Sequence, residues 1–348
     1  MRGKTLAALA SGAVLVSGAA LSALSRNRGG HKQEERVDPP IPTLPSLALP
    51  PIQEPVSSLK EAISKYPNGE LALGICEGGT VSVRLAQYPH VILYGGTGSG
   101  KSTITRDWAT QFRAAGWGVH IGDGLGCAWS DHRGLPGVVG IGGGPTTSKG
   151  GVLDIIDVMH EMVRERIAAQ DMGHRQVFSP QVLIVDDADT LMEHWTHALP
   201  KKRFSALMDN MRRILTLGPH VRCHVVFVAS TRSSLEGTGW LRHVPTVILA
   251  GTPERWMGTL LPVELRDEWK QRCTGSSAWN LARGRCVALL RNHDGDELVE
   301  YQSYYGYPLA DGYPVFVPEE VAVSEARDEY ARKVFDRIPD LYSRKALD

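Results

Sequence analysis

Residues 91–103 read Val-Ile-Leu-Tyr-Gly-Gly-Thr-Gly-Ser-Gly-Lys-Ser-Thr, an apolar run that passes into a glycine-rich loop. The apolar run over 91–94 predicts a buried strand, and the amphipathic pattern over 104–115 predicts a helix directly after the loop. A strand, a loop of the form GxxxxGK(S/T) and a helix, in this order, are typical of a phosphate-binding P-loop. The sequence therefore predicts a nucleotide site, and the alternative is an ordinary glycine turn between strand and helix.

The residues of this loop have roles that follow from their chemistry. Glycines let the backbone take dihedrals that other residues avoid, so that successive N–H groups converge on a phosphate beside the positive end of the next helix. We expect Lys101 to reach the β- and γ-phosphates of ATP and Ser102 to present its hydroxyl to Mg²⁺. The predicted nucleotide-binding residues are Gly95, Gly96, Thr97, Gly98, Ser99, Gly100, Lys101, Ser102 and Thr103.

A second diagnostic segment, residues 181–192, reads Gln-Val-Leu-Ile-Val-Asp-Asp-Ala-Asp-Thr-Leu-Met. Four apolar residues followed by an acid form a Walker B pattern, in which a strand delivers a carboxylate to the Mg²⁺ shell. This predicts Asp186 as the magnesium residue and Asp187 as the group that polarises the attacking water. Asp189 is expected to cap the turn that follows.

Further segments complete a predicted α/β core of the RecA-like P-loop NTPase type. Asp123 follows a short apolar strand at 117–121, and a long helix is predicted over 153–171. A third strand, 223–232, ends in polar residues, where Thr231 or Ser230 is placed to sense hydrolysis. The last strand is predicted at 246–249. Near-continuous apolar runs that alternate with helices predict a mainly parallel sheet with helices on both faces.

Composition places the chain among folded proteins of moderate size. Its 348 residues are 42% hydrophobic and 22% charged, with a formal net charge of zero. A balanced charge excludes a histone-like polycation, but a ring can still concentrate basic residues on a channel. The five cysteines form no CxxC pair, which predicts a reducing compartment with neither a disulfide framework nor a cysteine metal site.

The order of these elements resembles the motor domain of the FtsK/SpoIIIE DNA translocases, within the larger FtsK and HerA class of P-loop ATPases. The similarity covers roughly residues 57–310, and its most specific part is the Pro-His pair at 89–90 followed by the P-loop. The matching segments are 71–74, 88–102, Asp123, 161–166, 224–232 and 282–285. The resemblance implies that Lys101, Asp186, Asp187 and Thr231 carry the catalysis.

Three departures from the family pattern concern that catalysis. Asp187 stands where the family has Glu, and Thr231 stands where it has a sensor Gln. Pro219 follows Gly218, near which the family carries an arginine that acts on the ATP of a neighbouring subunit. The candidates for that arginine finger are Arg212, Arg213, Arg222 and Arg232.

The first residues form a different kind of sequence. Residues 5–24 carry no charge and are long enough to span a bilayer, and the basic residues after them favour a cytoplasmic body. A cleaved signal peptide, or a disordered tail on a cytoplasmic protein, is the alternative. Recurring prolines up to residue 56 predict an extended spacer. The expected divisions are an anchor (1–30), a linker (31–56), a motor domain (57–317) and a charged C-terminal helix and tail (318–348).

The resemblance implies a homo-oligomeric ring, a hexamer, that threads double-stranded DNA through sequence-neutral phosphate contacts. With a single-pass anchor in the cell membrane, such a motor would move plasmid or chromosomal DNA across that membrane in conjugation or segregation. Two alternatives stay open: a viral genome-packaging ATPase, and an ATP-binding scaffold or secretion ATPase that acts on protein. The basic run 201–203 is predicted to be a solvated helix start rather than a DNA-binding loop.

Overall fold

The computed structural model describes residue 44 and residues 48–145, 150–172, 177–231, 233–251, 255–274, 284–292, 295–306 and 329–343. The predicted anchor at 5–24, the first half of the predicted linker and Arg232 lie outside these ranges. Among the described residues, no helix combines the length and apolar character needed to cross a bilayer.

Ten strands in the described ranges form one sheet, in the order β2-β1-β10-β9-β8-β3-β7-β6-β4-β5. The strands are β1 (Leu71–Cys76), β2 (Gly79–Val83), β3 (His90–Gly95), β4 (Gly118–Asp123), β5 (Val138–Gly143), β6 (Gln181–Asp186), β7 (Cys223–Ala229), β8 (Thr246–Ala250), β9 (Arg285–Asn292) and β10 (Gly295–Ser303). Neighbours from β8 to β5 run parallel, as predicted. Neighbours from β8 to β2 run antiparallel, and the sequence did not predict this half.

Helices cover both faces of the sheet. They are α1 (Leu59–Lys65), α2 (Lys101–Ala114), α3 (Val152–Asp171), α4 (Ala188–Ala198), α5 (Lys201–Leu217), α6 (Ser233–Glu236) and α7 (Arg266–Thr274). On α3, the buried residues Ile156, Met159 and Val163 recur at helical spacing, so one apolar stripe packs on the core. The predicted bounds of α2 and α3 are confirmed to within a few residues.

Strand β3 lies at the centre of the parallel half and is buried along its whole length. Ile92 and Tyr94 pack into the core with α3, α4 and α5, whereas Val91 and Leu93 pack into the core with α2. A strand that is covered on both faces reads as a continuous apolar run, which is why it was recognisable in the sequence. Its carboxyl end is therefore fixed against both layers of helices, and this end carries the P-loop.

The second half of the predicted spacer packs on the domain instead of extending from it. Ala48 forms a parallel bridge with Tyr304, and the N–H of Tyr305 donates to the carbonyl of Ala48 at 2.8 Å. The N–H of Val56 donates to the carbonyl of Ala114, at the end of α2, at 2.9 Å. Ala48 and Val56 are both buried. The spacer prediction is therefore wrong for residues 48–56, because apolar residues between the prolines meet an apolar surface.

The described part of the C-terminal segment also packs against α2. A helical turn over 329–334 leads into a short 3-10 helix at Phe335–Arg337. Tyr330, Val334 and Ile338 form a small apolar cluster with Ala114. The described residues of this segment thus pack on the domain that precedes them.

Candidate nucleotide site

The glycine-rich loop joins the end of β3 to the start of α2. Gly98 and Gly100 have φ angles of 80° and 96°, which a side chain would strain. The N-terminus of α2 has no side-chain cap and no acidic residue in its first turn. The free N–H groups and the positive end of the helix dipole therefore favour an anion at this point.

Neighbouring strands hold the loop tightly. A Cβ on Gly95 would lie 2.5 Å from Ser99 Oγ and 2.7 Å from the carbonyl oxygen of Ala250, so only glycine fits. A Cβ on Gly251 would lie 2.7 Å from Ser99 Cβ. Gly284, which precedes β9, approaches the loop at Gly100. The end of β8 and the start of β9 thus form a wall of the site that the motif alone did not indicate.

Lys101 folds back over the loop. Its ammonium donates to the carbonyl oxygens of Gly95 at 2.7 Å and Gly96 at 3.1 Å. Partial burial lowers the pKa of Lys101, while the carboxylates of Asp187, Asp186 and Asp189 act in the opposite direction. The ammonium therefore lies within electrostatic reach of all three acids. The remaining predicted residues are placed around it, with Thr97, Gly98 and Ser102 exposed and Ser99, Gly100 and Thr103 half-buried.

Strand β6 delivers Asp186 to the same edge of the sheet, in register with Asp123 of β4. Asp186 is buried, and both of its oxygens accept hydrogen bonds. Oδ2 accepts from the indole N–H of Trp129 at 2.7 Å, and Oδ1 accepts from the N–H of Asp187 at 3.1 Å. Burial raises the pKa of Asp186, and these two hydrogen bonds oppose the shift. Sequence reasoning missed Trp129, which lies outside every predicted motif.

Asp187 occupies a backbone conformation that few residues adopt. Its φ and ψ are 51° and 43°, in the left-handed region, where Asp and Asn are the non-glycine residues best tolerated. Burial first, and then the charges of Asp186 and Asp189, raise the pKa of its carboxyl to about 6, with Lys101 opposing the shift. Gly124 makes room for it, since a Cβ there would lie 2.7 Å from Asp187 Cβ.

Asp123 orders the loop after β4. Its Oδ1 accepts from the N–H groups of Leu125 at 3.2 Å and Gly126 at 3.0 Å, and its Oδ2 accepts from the N–H of Trp129 at 3.0 Å. These three bonds wrap the loop around the carboxylate. Asp123 therefore lies at the predicted crevice but serves there to place Trp129 beside Asp186.

Asp189, in the first turn of α4, connects this helix to the end of β7. Its Oδ2 accepts from the N–H groups of Ser230 at 3.2 Å and Thr231 at 2.9 Å, and from the Thr231 hydroxyl at 3.1 Å. The prediction that Asp189 caps the turn that follows it is wrong, because its carboxylate bonds to residues at the end of β7. Thr231 is thereby held close to α4, on the side of the sheet edge where the acids converge.

The predicted arginine-finger candidates differ in their surroundings. The guanidinium of Arg222 donates to the carbonyls of Ile63 at 3.0 Å and Phe178 at 3.3 Å and lies 4.5 Å from the ring centre of Tyr66. Arg222 is therefore held by contacts within its own chain. Arg212 and Arg213 are exposed on α5, where Arg212 pairs with Asp209 at 2.6 Å.

No protein-family model matches the sequence, and no curated protein matches it. Solved structures do resemble the fold. The monomer form of the pCW3 conjugation coupling protein TcpA, solved with ATPγS, has a TM-score of 0.58 at 14% identity, over 81% of this chain and 75% of that one. ATPases 2 and 3 of EssC from Geobacillus thermodenitrificans reach 0.54 at 15% identity, over 87% of this chain and 53% of that one. The cytoplasmic domain of the Type VII secretion ATPase EccC from Thermomonospora curvata reaches 0.52 at 15% identity, over 70% of this chain and 29% of that one.

These structures are P-loop ATPases of the FtsK and HerA type. The predicted resemblance is therefore confirmed at the level of the fold, a mixed α/β sheet with helices on both faces. This chain spans about half of the EssC fragment and under a third of the EccC domain.

Proposed function

We propose that this protein is a Mg²⁺-dependent ATPase that moves double-stranded DNA. The ATPase part of the proposal is supported by one observation. Lys101 lies within electrostatic reach of Asp186 and Asp187, where β3 and β6 end beside the uncapped N-terminus of α2. Three acids lie within electrostatic reach of one lysine beside a glycine-rich loop, which concentrates charge at one edge of the sheet. They suit a site where a polyphosphate and a cation are bound together.

The residues present fit both groups. A Cβ on Gly98 would meet no atom within 4 Å, so the loop has an open side for the phosphates. No cluster of three or more His, Cys, Asp or Glu in the described ranges is arranged to hold a metal ion. Magnesium at ATP sites is usually held by one or two protein oxygens together with the phosphates, here Asp186 and the exposed Ser102 hydroxyl. When bound, Mg²⁺ supplies positive charge that neutralises the phosphate oxygens.

The chain's own groups would then divide the work. The N–H groups at the start of α2 bind phosphate oxygens, and Lys101 exchanges its two carbonyl partners for the β- and γ-phosphates. Asp187 orients the attacking water and accepts its proton. With a pKa of about 6, Asp187 is largely ionised at neutral pH, as a base must be. Thr231 faces the γ-phosphate. When the γ-phosphate is released, the change at Thr231 is transmitted to α4 through the hydrogen bonds of Thr231 with Asp189.

The DNA-moving part of the proposal is supported by the family resemblance and by the fold likeness to a conjugation coupling protein. By analogy, the subunits form a hexameric ring that contacts duplex DNA through phosphates, with Arg212 or Arg213 serving the neighbouring site. Residues 5–24 anchor the ring in a membrane, across which plasmid or chromosomal DNA passes.

The test is the steady-state ATPase rate with and without linear duplex DNA, at low and at physiological salt. We expect DNA to stimulate turnover and the stimulation to fade as salt rises, because phosphate contacts are salt-sensitive. Lys101→Ala should lose turnover, whereas the control Lys65→Ala, an exposed lysine paired with Glu61, should retain it. A Lys101→Ala protein with wild-type turnover would contradict the P-loop assignment.

The fold likeness to the Type VII secretion ATPase EccC favours a second candidate, an ATPase that acts on protein. The same assay separates the two functions. Turnover that depends on Lys101 but ignores DNA at every salt concentration would exclude the DNA motor and favour a protein substrate.

A further inference from the structure

We propose that Trp129 is a positioning residue for the magnesium site, whose indole N–H holds the carboxylate of Asp186 in the one orientation that accepts Mg²⁺. The inference rests on the proposed ATPase function and deepens it. Its basis is a buried hydrogen bond of 2.7 Å between the indole Nε1 of Trp129 and Oδ2 of Asp186. The two residues are 57 positions apart in sequence, so only the fold brings them together.

The indole is fixed on several sides. Trp129 is 1% exposed, and its backbone N–H donates to Asp123 Oδ2 at 3.0 Å. The ring of His132 packs edge-on with a centroid distance of 4.7 Å, and the guanidinium of Arg106 lies 5.6 Å from the ring centre. The indole therefore has little freedom to follow a moving carboxylate, and the carboxylate is held to a fixed donor.

The hydrogen bond limits what Asp186 can do. An ionised carboxylate has about four acceptor positions on two oxygens. In this site the indole occupies one on Oδ2, and the N–H of Asp187 occupies one on Oδ1 at 3.1 Å. Two donors on opposite oxygens define the carboxylate plane and leave one acceptor position on each oxygen. Without the indole, the remaining donor belongs to the adjacent residue, and rotation about Cβ–Cγ is no longer restrained from across the fold.

The choice of side chain supports a polar role. Phenylalanine or leucine would also fill an apolar space in the core beneath α2, but neither can donate a hydrogen bond to a carboxylate. Groups that orient a metal ligand commonly change metal affinity by about 10- to 100-fold when removed. The contact is therefore expected to act on magnesium binding more than on folding.

Trp129→Phe tests this, since it keeps a ring and removes the N–H. The matched control is Trp195→Phe, because Trp195 is also 1% exposed and its indole donates to the carbonyl of Pro145 at 3.2 Å. Two quantities are measured on the full chain: the Mg²⁺ concentration that half-saturates ATPase turnover, and the thermal shift given by ATPγS with Mg²⁺ or with EDTA.

We expect Trp129→Phe to raise the half-saturating Mg²⁺ concentration about 10- to 100-fold with a smaller change in kcat. We also expect it to lose the extra thermal shift that Mg²⁺ adds to ATPγS, while the shift in EDTA persists. Trp195→Phe should change neither. If Trp129→Phe does not fold, 3-benzothienylalanine at position 129 replaces the N–H by sulfur at nearly constant shape and gives the same comparison.

Wild-type Mg²⁺ dependence in the Trp129 variant, or the same behaviour in both variants, would overturn the inference. That failure is distinguishable from failure of the proposed function. If ATPγS with Mg²⁺ did not stabilise the wild-type chain at all, the nucleotide site itself would be wrong.

Discussion

Asp107 is a buried carboxyl group, and no cationic side chain in the described ranges pairs with it. It lies on α2, and its Oδ2 accepts from Gln111 Nε2 at 2.8 Å, while Oδ1 has no hydrogen-bond partner among the described residues. Burial raises the pKa of Asp107 from 3.8 to about 7. The folded chain therefore holds a neutral carboxyl at a pH where the unfolded chain has an ionised one.

The size and sign of the effect follow from that difference. A pKa raised by about 3 units corresponds to about 4 kcal/mol, at about 1.4 kcal/mol per unit. The folded state binds the proton of Asp107 more tightly than the unfolded state does. The free energy that this protonation contributes to folding is therefore fully present below about pH 4 and is lost between about pH 4 and about pH 7. Asp107→Asn keeps the shape and the partner Gln111 but removes the titration. We expect the variant to gain up to about 4 kcal/mol over wild type at pH 8 and to gain little at pH 4.

Urea unfolding followed by tryptophan fluorescence from pH 4 to pH 8 measures this. The quantity of interest is the variant's free energy of unfolding minus that of wild type, because buried histidines such as His90 and His224 add their own pH dependence to both proteins. Asp209→Asn, which changes an exposed carboxylate on α5, is the control and should give a flat difference. A flat difference for Asp107→Asn would refute the reasoning.

Two other substitutions test the site and the C-terminal segment. Asp187→Asn keeps a residue that tolerates the left-handed backbone but removes the proposed base, so we expect turnover to fall about 10²- to 10⁴-fold with ATPγS binding retained. Turnover near wild type would show that another group activates the water. Tyr342→Phe removes hydroxyl bonds to the carbonyls of Gly116 at 3.0 Å and Pro180 at 3.4 Å. We expect its free energy of unfolding in urea to drop by about 1–2 kcal/mol, and no drop would mean that this hydroxyl does not fasten the segment.

The parallel half of the sheet was predictable because β3, β6 and β7 are covered on both faces and read as unbroken apolar runs. In the antiparallel half, β9 has the same apolar run, but β1 and β10 lack that signal. The first three residues of β10 are exposed. β1 contains Gly74, where a Cβ would lie 2.6 Å from the ring of Tyr301. Glycine is required there by a neighbour that is distant in sequence, yet it weakens the strand pattern.

The candidate site likewise has a part that the sequence predicts and a part that it does not. The P-loop and the Walker B strand are contiguous in sequence, so their chemistry could be predicted from local pattern. The indole on Asp186 and the Asp189 contact with Thr231 join residues from different elements. Such contacts are decided by the register of β4, β6 and β7, which single-sequence periodicity does not determine. The same holds for Arg222, whose carbonyl partners come from two distant segments.

The junction at the end of α2 has a mechanical consequence. Val56 bonds to Ala114, Glu54 pairs with Arg337, and Tyr342 bonds to Gly116, so both flanking segments are fastened near the turn before β4. The glycine-rich loop meets the opposite end of α2, about 20 Å away for a helix of 14 residues. A pulling force on the C-terminal segment would therefore enter the domain at this turn, through the bonds of Arg337 and Tyr342. The glycine-rich loop lies at the far end of α2, so such a load would be applied about one helix length away from it.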